Sequence, residues 1–464
     1  MEKILRKILR VPLESPAPDP VFDPDLDLQF ARDLALDPRI TFTRASTATF
    51  VGSNKLIQSA SNNVARFDHD PATGESLGLL IEEARTNNIL NSEDMSAGTW
   101  TTISGSIVAN STTAPDGTTT ADKFSENSSG TGTPFVADLL DTASLTTSTN
   151  YSFSCFLKNN DARYAGLTVR SFNGSNFHAE FDLQEGVIVS SGKHGNSTFT
   201  SAEMEKYGNG WYRCEITGVS DTSDVSSDSA LIVITPGTGI GSAGFAATFS
   251  LDGSSIFVWG AQLEEAAFPT SYIPTSGAAA TRAVDVADID TTDFPFNFTE
   301  FSWFAEAQTA EIAEDFVHIF RGGAATNERV FIQFDASHTV RALVRHDGIN
   351  KFDQSLGSPQ TATAFVKVAL GVKSNDTFFV LDGDTSVSDT TVDMPDTIAD
   401  IAIGSTASSS GASSLNGHIR TLQYFARRLD DATLIALTQP SLEPSLSLVF
   451  DSSETSFVDT ELTR

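Results

Sequence analysis

The sequence is short of cysteine, of positive charge and of long apolar runs. It holds two cysteines, Cys155 and Cys214, in 464 residues, too few for a disulfide framework. Each lies in a strand-like run beside aromatic residues, which reads as a buried free thiol and fits assembly in a reducing cytoplasm. No run approaches the ~20 apolar residues of a membrane-spanning helix, so no membrane insertion is expected. Lys and Arg number 29 against 60 Asp and Glu, a formal net charge of −31. Nucleic-acid binding needs clustered cations, and this balance argues against it. There is no HExxH, no paired cysteine ligands and no His-Asp-Ser order with supporting context. The Gly-rich stretch 235–244 lacks the following Lys and helix of a phosphate loop. No short repeat period suggests a long β-helix. Many acids are present, and two of them could meet as a glycosidase pair, but spacing alone does not place them. The expectation is no enzyme, no metal and no cofactor. Asp23, Asp25 and Asp27 alternate and would invite calcium, but no ligand motif supports it. Carboxylates on the wet face of an edge strand are commoner.

What is present is strand. Ser, Thr, Gly and Asp punctuate short alternating apolar runs, which predicts an all-β fold. The length asks for more than one core. Tyr151–Lys158, Ala165–Arg170, Gly210–Thr217, Ala230–Ile234 and Ser255–Glu264 read as strands of a first sandwich. Phe296–Glu306, Val330–Phe334, Arg341–Arg345, Phe365–Val372, Thr377–Gly383 and Leu415–Phe425 read as strands of a second. The expected fold is two tandem β-sandwiches (jelly rolls) preceded by a short N-terminal arm and a β-rich collar. The boundaries are an arm with a Pro-rich tether at 1–24, the collar at 25–95 and the first sandwich at 96–275. A connector follows at 276–292, then the second sandwich at 293–440 and a tail at 441–464. In the connector, Val284, Val286 and Ile289 could lay a strand against a neighbouring domain.

Three sets of phrases carry resemblances. The block ITFTRASTATF…RFDHDPATGESLGLLIEEARTNNILNSED, residues 40–94, resembles the leader segment of bacteriophage tail-fibre and virion-surface proteins. YSFSCFLK, GNGWYRCEI and IFVWGAQLEEAAFPTSYIP resemble carbohydrate-binding-module jelly rolls. FFVLDGD and LNGHIRTLQYFARRLDDATLIALT resemble the laminin-G or concanavalin A-like fold. Together they imply a structural virion protein, foremost a phage tail fibre or host-recognition appendage that binds host-surface glycans. A capsid decoration or head-fibre protein, a baseplate or connector protein and a polysaccharide-degrading tailspike are the alternatives. The resemblance implies a homotrimer on the virion surface, assembled in the host cytoplasm.

Two groups of residues are candidates within that reading. On a helix, Ile4, Leu5, Ile8 and Leu9 would share one face, with Lys3, Arg6, Lys7 and Arg10 on the other. Pro12 ends the pattern. Such an arm would anchor the chain in another virion protein, and prolines 16, 18, 20 and 24 would tether it. For glycan stacking the candidates are Trp100, Trp211 and Tyr212, since a sugar site uses exposed aromatic faces. Trp211 and Tyr212 point to opposite faces of one strand, so only one of them belongs in the core. Trp259, beside Phe257 and Val258, reads as packing. Arg44, Arg66 and Arg85 stand out in an acidic chain. They are expected to pair with Asp or Glu where residues 40–94 pack as a folded collar on the first sandwich.

Overall fold

The computed structural model describes residues 23–440 apart from 139, 141–144, 172–173, 222–227, 241–247, 294–295, 311–315, 324–326, 359–363 and 407–412. The arm and the tail lie outside the described residues. The all-β expectation holds. Among the described residues every strand pairing is antiparallel and the α-helices are Phe30–Asp33 and Asp431–Thr438 alone. The second of these starts at Asp430, whose carboxylate accepts a hydrogen bond from Thr433 N at 2.9 Å and so satisfies one of the open N–H groups of the first turn.

The first sandwich has two six-stranded sheets. One runs Thr198–Lys206, Trp211–Val219, Asn150–Asn159, Ser255–Glu264, Ala121–Glu126 and Gly105–Thr112. The other runs Val187–His194, Asn176–Asp182, Tyr164–Arg170, Ser229–Thr235, Phe135–Asp138 and Trp100–Ile103. Alternation decides which side chains fill the space between them. On Trp211–Val219, Tyr212, Cys214 and Ile216 turn inward, and Trp211 packs in a separate cluster on the outside. Cys155 lies opposite Cys214 across the ladder, and both are buried free thiols.

The second sandwich pairs an eight-stranded sheet with a seven-stranded one. Much of both comes from residues outside 293–440. Arg66–His69 and Ser76–Ile81 extend the larger sheet along Gly417–Phe425, and Leu26–Leu28 pairs with the same strand. Thr41–Thr43 and Val286–Asp290 form one end of the smaller sheet. Leu26, Leu28, Phe30, Phe42, Leu79 and Ile81 accordingly belong to the second core. The 25–95 stretch is therefore shared: its strands as far as Ile81 extend the second sandwich, while Ile89 and Met95 enter the first core and Asn87 donates to Ala261 O. Gly417–Phe425 offers it a ladder edge, and its alternating apolar side chains find a buried face there. Gly78 shows how close the approach is: its φ is +91°, and a Cβ would stand 2.2 Å from Ile419 O.

The hairpin Ala48–Val51 and Ile57–Ala60 packs on the outside of the first sandwich, where Val51 and Ile57 join Trp211 and Trp259, and Asn88 N donates to Leu263 O on the Ser255–Glu264 strand. The connector is ordered. Ala280–Arg282 pairs with Arg85–Asn87, and Ala287 and Ile289, rather than Val286, turn into the second core. The two sandwiches are thus stitched together by chain segments that precede each of them.

Candidate functional site

The outer face of the Trp211–Val219 sheet divides into an aromatic end and an acidic end. At the aromatic end Phe156, Tyr207, Trp211, Trp259 and Tyr272 cluster with Val51 and Ile57. Phe156 meets Tyr207 and Trp259 edge-on, with ring centroids 4.9 and 5.4 Å apart. This corrects the expectation for Trp211. It is fully buried, the hairpin occupies the face a sugar would need, and its Nε1 donates to Thr113 O at 3.0 Å. Trp100 is corrected likewise: it is buried in the first core and its Nε1 donates to Asn91 O at 2.9 Å. Tyr212 is half-buried and leans against the first core from inside the sheet. None of the three presents an open aromatic face.

Beside the aromatic end lies a closed cluster of ion pairs. Asp285 and Glu82 are held by Arg44, Arg66 and Arg282, all within a few per cent of full burial. Asp285 Oδ1 meets Arg44 at 3.0 Å, its Oδ2 meets Arg66, and it also accepts from Glu82 N at 3.0 Å. Glu82 Oε2 meets Arg66 at 2.6 Å and Arg282 at 2.8 Å, and its Oε1 accepts from Ser271 N. Burial alone would raise the Glu82 pKa, but Arg282 and Arg66 hold it well below the usual carboxylate range. Arg85 pairs with Glu83. All three arginines singled out in the sequence pair with carboxylates, but these are Glu82, Glu83 and Asp285, in their own stretch and in the connector, and none belongs to the first sandwich. The groups of the cluster are spent on one another, as a structural joint requires.

The acidic end differs. Glu205 lies opposite Arg213 and Glu203 opposite Glu215 on neighbouring strands, so the four side chains share one outward face. Arg213 pairs with Glu215 at 3.1 Å and donates to Ser154 Oγ and Thr270 O. Asp68 and Asp70, from the segment bound to the second sandwich, are near enough to repel Glu205. Loss of hydration in this crowded groove pushes the Glu205 pKa up to about 7; Arg213 opposes the shift and the two aspartates add to it. Glu205 is nevertheless an exposed residue, so solvent screens part of the effect. Burial pushes Glu215 up to about 8 against the pull of Arg213, with Glu205 and Glu203 repelling it. Several acids thus share one cation on the outer face of this sheet.

Other places fit less well. A pocket of about 60 Å³ is lined by Thr47, Thr49, Ser59, Tyr272, Thr281 and Arg282. It is small for a saccharide, and its one cation already binds Glu82 and Glu83 O. Asp25 accepts from Ala426 N, and Asp27 accepts from the amides of Gln29 and Gln423. Among the described residues, Glu328, His346 and Asp347 alone converge as ligands could around a metal ion. The anchoring residues Lys3, Ile4, Leu5, Arg6, Lys7, Ile8, Leu9 and Arg10 lie outside the described residues.

No protein-family model matches the chain, and no curated protein matches it. Solved structures similar to it include the CBM40 module of a Ruminococcus gnavus IT-sialidase bound to α2,3 sialyllactose, at 16% identity over 31% of this chain and 84% of that one, TM-score 0.27. The NanB sialidase from Streptococcus pneumoniae is 16% identical over 36% of this chain and 28% of that one, TM-score 0.28. A Trypanosoma rangeli sialidase in complex with sialic acid is 14% identical over 68% and 60%, TM-score 0.27. At these values the likeness assigns no ligand and no reaction. It does correct one expectation: sialidases stand among the similar structures, so the reading of this chain as a non-enzyme is withdrawn. Nothing in the comparisons indicates a phage protein.

Glu203, Glu205 and Glu215 were missed in the sequence. The signal was the alternation in Ala202-Glu203-Met204-Glu205 and in Arg213-Cys214-Glu215, which sets acids on one face. The two strands form a hairpin through Gly208-Asn209-Gly210, a turn signal in the sequence that sets this register.

Proposed function

We propose that this chain binds glycans through the groove formed by Glu203, Glu205, Arg213 and Glu215, and that it does so as a phage appendage meeting a host surface. The observation that carries the binding site is the shared outward face of these four side chains beside Asp68 and Asp70. Carboxylates and a guanidinium in fixed array match the vicinal hydroxyls of a sugar, because each carboxylate accepts two hydrogen bonds. The location on a virion rests on the resemblance of residues 40–94 to phage appendage leaders, as do the trimer and an anchor in residues 1–12. Purified protein should adsorb to host cells and retain host polysaccharide on a column. The double variant Glu205→Gln, Glu215→Gln should lose both with its thermal transition intact. Equal adsorption by parent and variant would remove the groove from the reading, and no adsorption by the parent would remove the function.

A second reading is favoured by the same pair. Glu205 and Glu215 share one outward face, and burial and neighbouring acids push both carboxyls toward the neutral form. A protonated carboxyl beside an ionised one is the arrangement that cleaves glycosidic bonds. Release of reducing ends from host polysaccharide, abolished by either Gln substitution, would establish hydrolysis in place of binding alone.

A further inference from the structure

The smaller sheet of the second sandwich ends in a tight hairpin, Val340–His346 to Ile349–Leu356, with the turn Asp347-Gly348. Asp347 and Gly348 both have positive φ, +51° and +74°, as an Asp-Gly hairpin turn requires. The turn is pinned to its surroundings. Glu328 accepts from Asp347 N at 2.8 Å and from Asp396 N at 2.9 Å, and Gly348 N donates to Asn327 O. Glu328 is buried, so its carboxylate is fixed in place by these donors.

His346 stands against that fixed carboxylate, with Nδ1 3.2 Å from Glu328 Oε2. A carboxylate is an acceptor, so Nδ1 carries the proton and the neutral ring leaves a bare lone pair on Nε2. Nε2 lies 3.6 Å from Asp347 Oδ2. That is too long for a good hydrogen bond. It is close to the separation of roughly 3.3–3.6 Å between two ligands bound at about 2.0–2.2 Å to one tetrahedral ion. Ligand atoms of all three residues lie within 4.8 Å of one another. A carboxylate that orients a histidine through its distal nitrogen is the usual outer support of a metal-bound imidazole.

We infer that the hairpin tip is a binding site for a zinc-class divalent metal ion, with His346 Nε2 and Asp347 as ligands, Glu328 orienting the imidazole, and water in the remaining positions. Asp396 lies near His346 and adds negative potential there, while Asp393 is held by Lys351. The mixed nitrogen and oxygen donors favour zinc over calcium, which prefers six or more oxygens. The site is on the second sandwich and is independent of the glycan groove.

The test is titration calorimetry of the untagged full chain with zinc chloride in a non-chelating buffer. One equivalent should bind. His346→Ala should lose it, Asp347→Asn should weaken it at least tenfold, and Glu328→Gln should weaken it by about 10- to 100-fold. The control His194→Ala, on the first sandwich, should leave it unchanged. Absence of a one-equivalent site in the parent, or unaltered affinity in His346→Ala with the fold retained, would overturn the assignment. If Glu328→Gln proves unstable, His346→Ala decides alone, because its side chain is not needed to satisfy the backbone donors of the turn.

Discussion

The closed cluster at Asp285 and the groove at Glu205 are built from the same residue types, yet they behave oppositely. In the cluster, three guanidinium groups face two carboxylates, and Glu82 is held ionised despite full burial. In the groove, several carboxylates share Arg213, and Glu205 and Glu215 are pushed toward the neutral form. The first arrangement satisfies its charges and excludes water. The second crowds several carboxylates around one guanidinium, which pairs with Glu215. Charge density alone does not decide how a carboxylate titrates; the balance of partners does.

The largest effect should come from breaking the joint. Asp285→Ala leaves Arg44 and Arg66 buried with their main partner gone, and should cost about 3–5 kcal/mol. Thermal denaturation should show a large fall in Tm or loss of soluble protein. A fall no greater than that of a surface variant would mean that the cluster is not a joint.

Acid should weaken the same joint. The folded Glu82 pKa lies below its unfolded value, so its contribution is complete above the ordinary carboxylate pKa of about 4.3 and is lost as pH falls through the folded value. Tm followed by circular dichroism should therefore drop steeply below about pH 4. A flat profile there would break the contrast.

The groove should show the opposite sign. Glu215 titrates at about 8 when folded and near 4.3 when unfolded. Between these values the folded state holds more protons, so stability declines as pH rises through that window. Glu215→Gln removes this term. Its Tm should exceed the parent's by a margin that grows from pH 5 to pH 8, on the order of 1 kcal/mol after screening. A margin that shrinks with pH would show that Glu215 is stabilised as an anion by Arg213.

The smallest effect on stability belongs to Glu205→Gln. At an exposed position it should change stability by no more than about 0.5 kcal/mol while glycan adsorption is reduced. Loss of stability without loss of adsorption would class the groove with the joint.

Much of the fold could be read from the chain. Alternation in Tyr151–Lys158, Gly210–Thr217 and Phe296–Glu306 announced strands, and those strands are present. The isolated arginines in an acidic chain announced ion pairs, and Arg44, Arg66 and Arg85 make them. Side-chain period, turn residues and charge are local, so a sequence displays them directly.

Partnership across the chain is not local. That Ser76–Ile81 would join Gly417–Phe425 rather than the neighbouring first sandwich depended on an open ladder edge more than 300 residues away. That Trp211 would lie beneath a hairpin depended on Val51 and Ile57 reaching it. The sequence by itself determined which residues form strands and which face each strand gives to the core. Only the tertiary structure decided which polar faces would be closed by partners and which would remain open, because burial and pairing depend on segments brought together by folding.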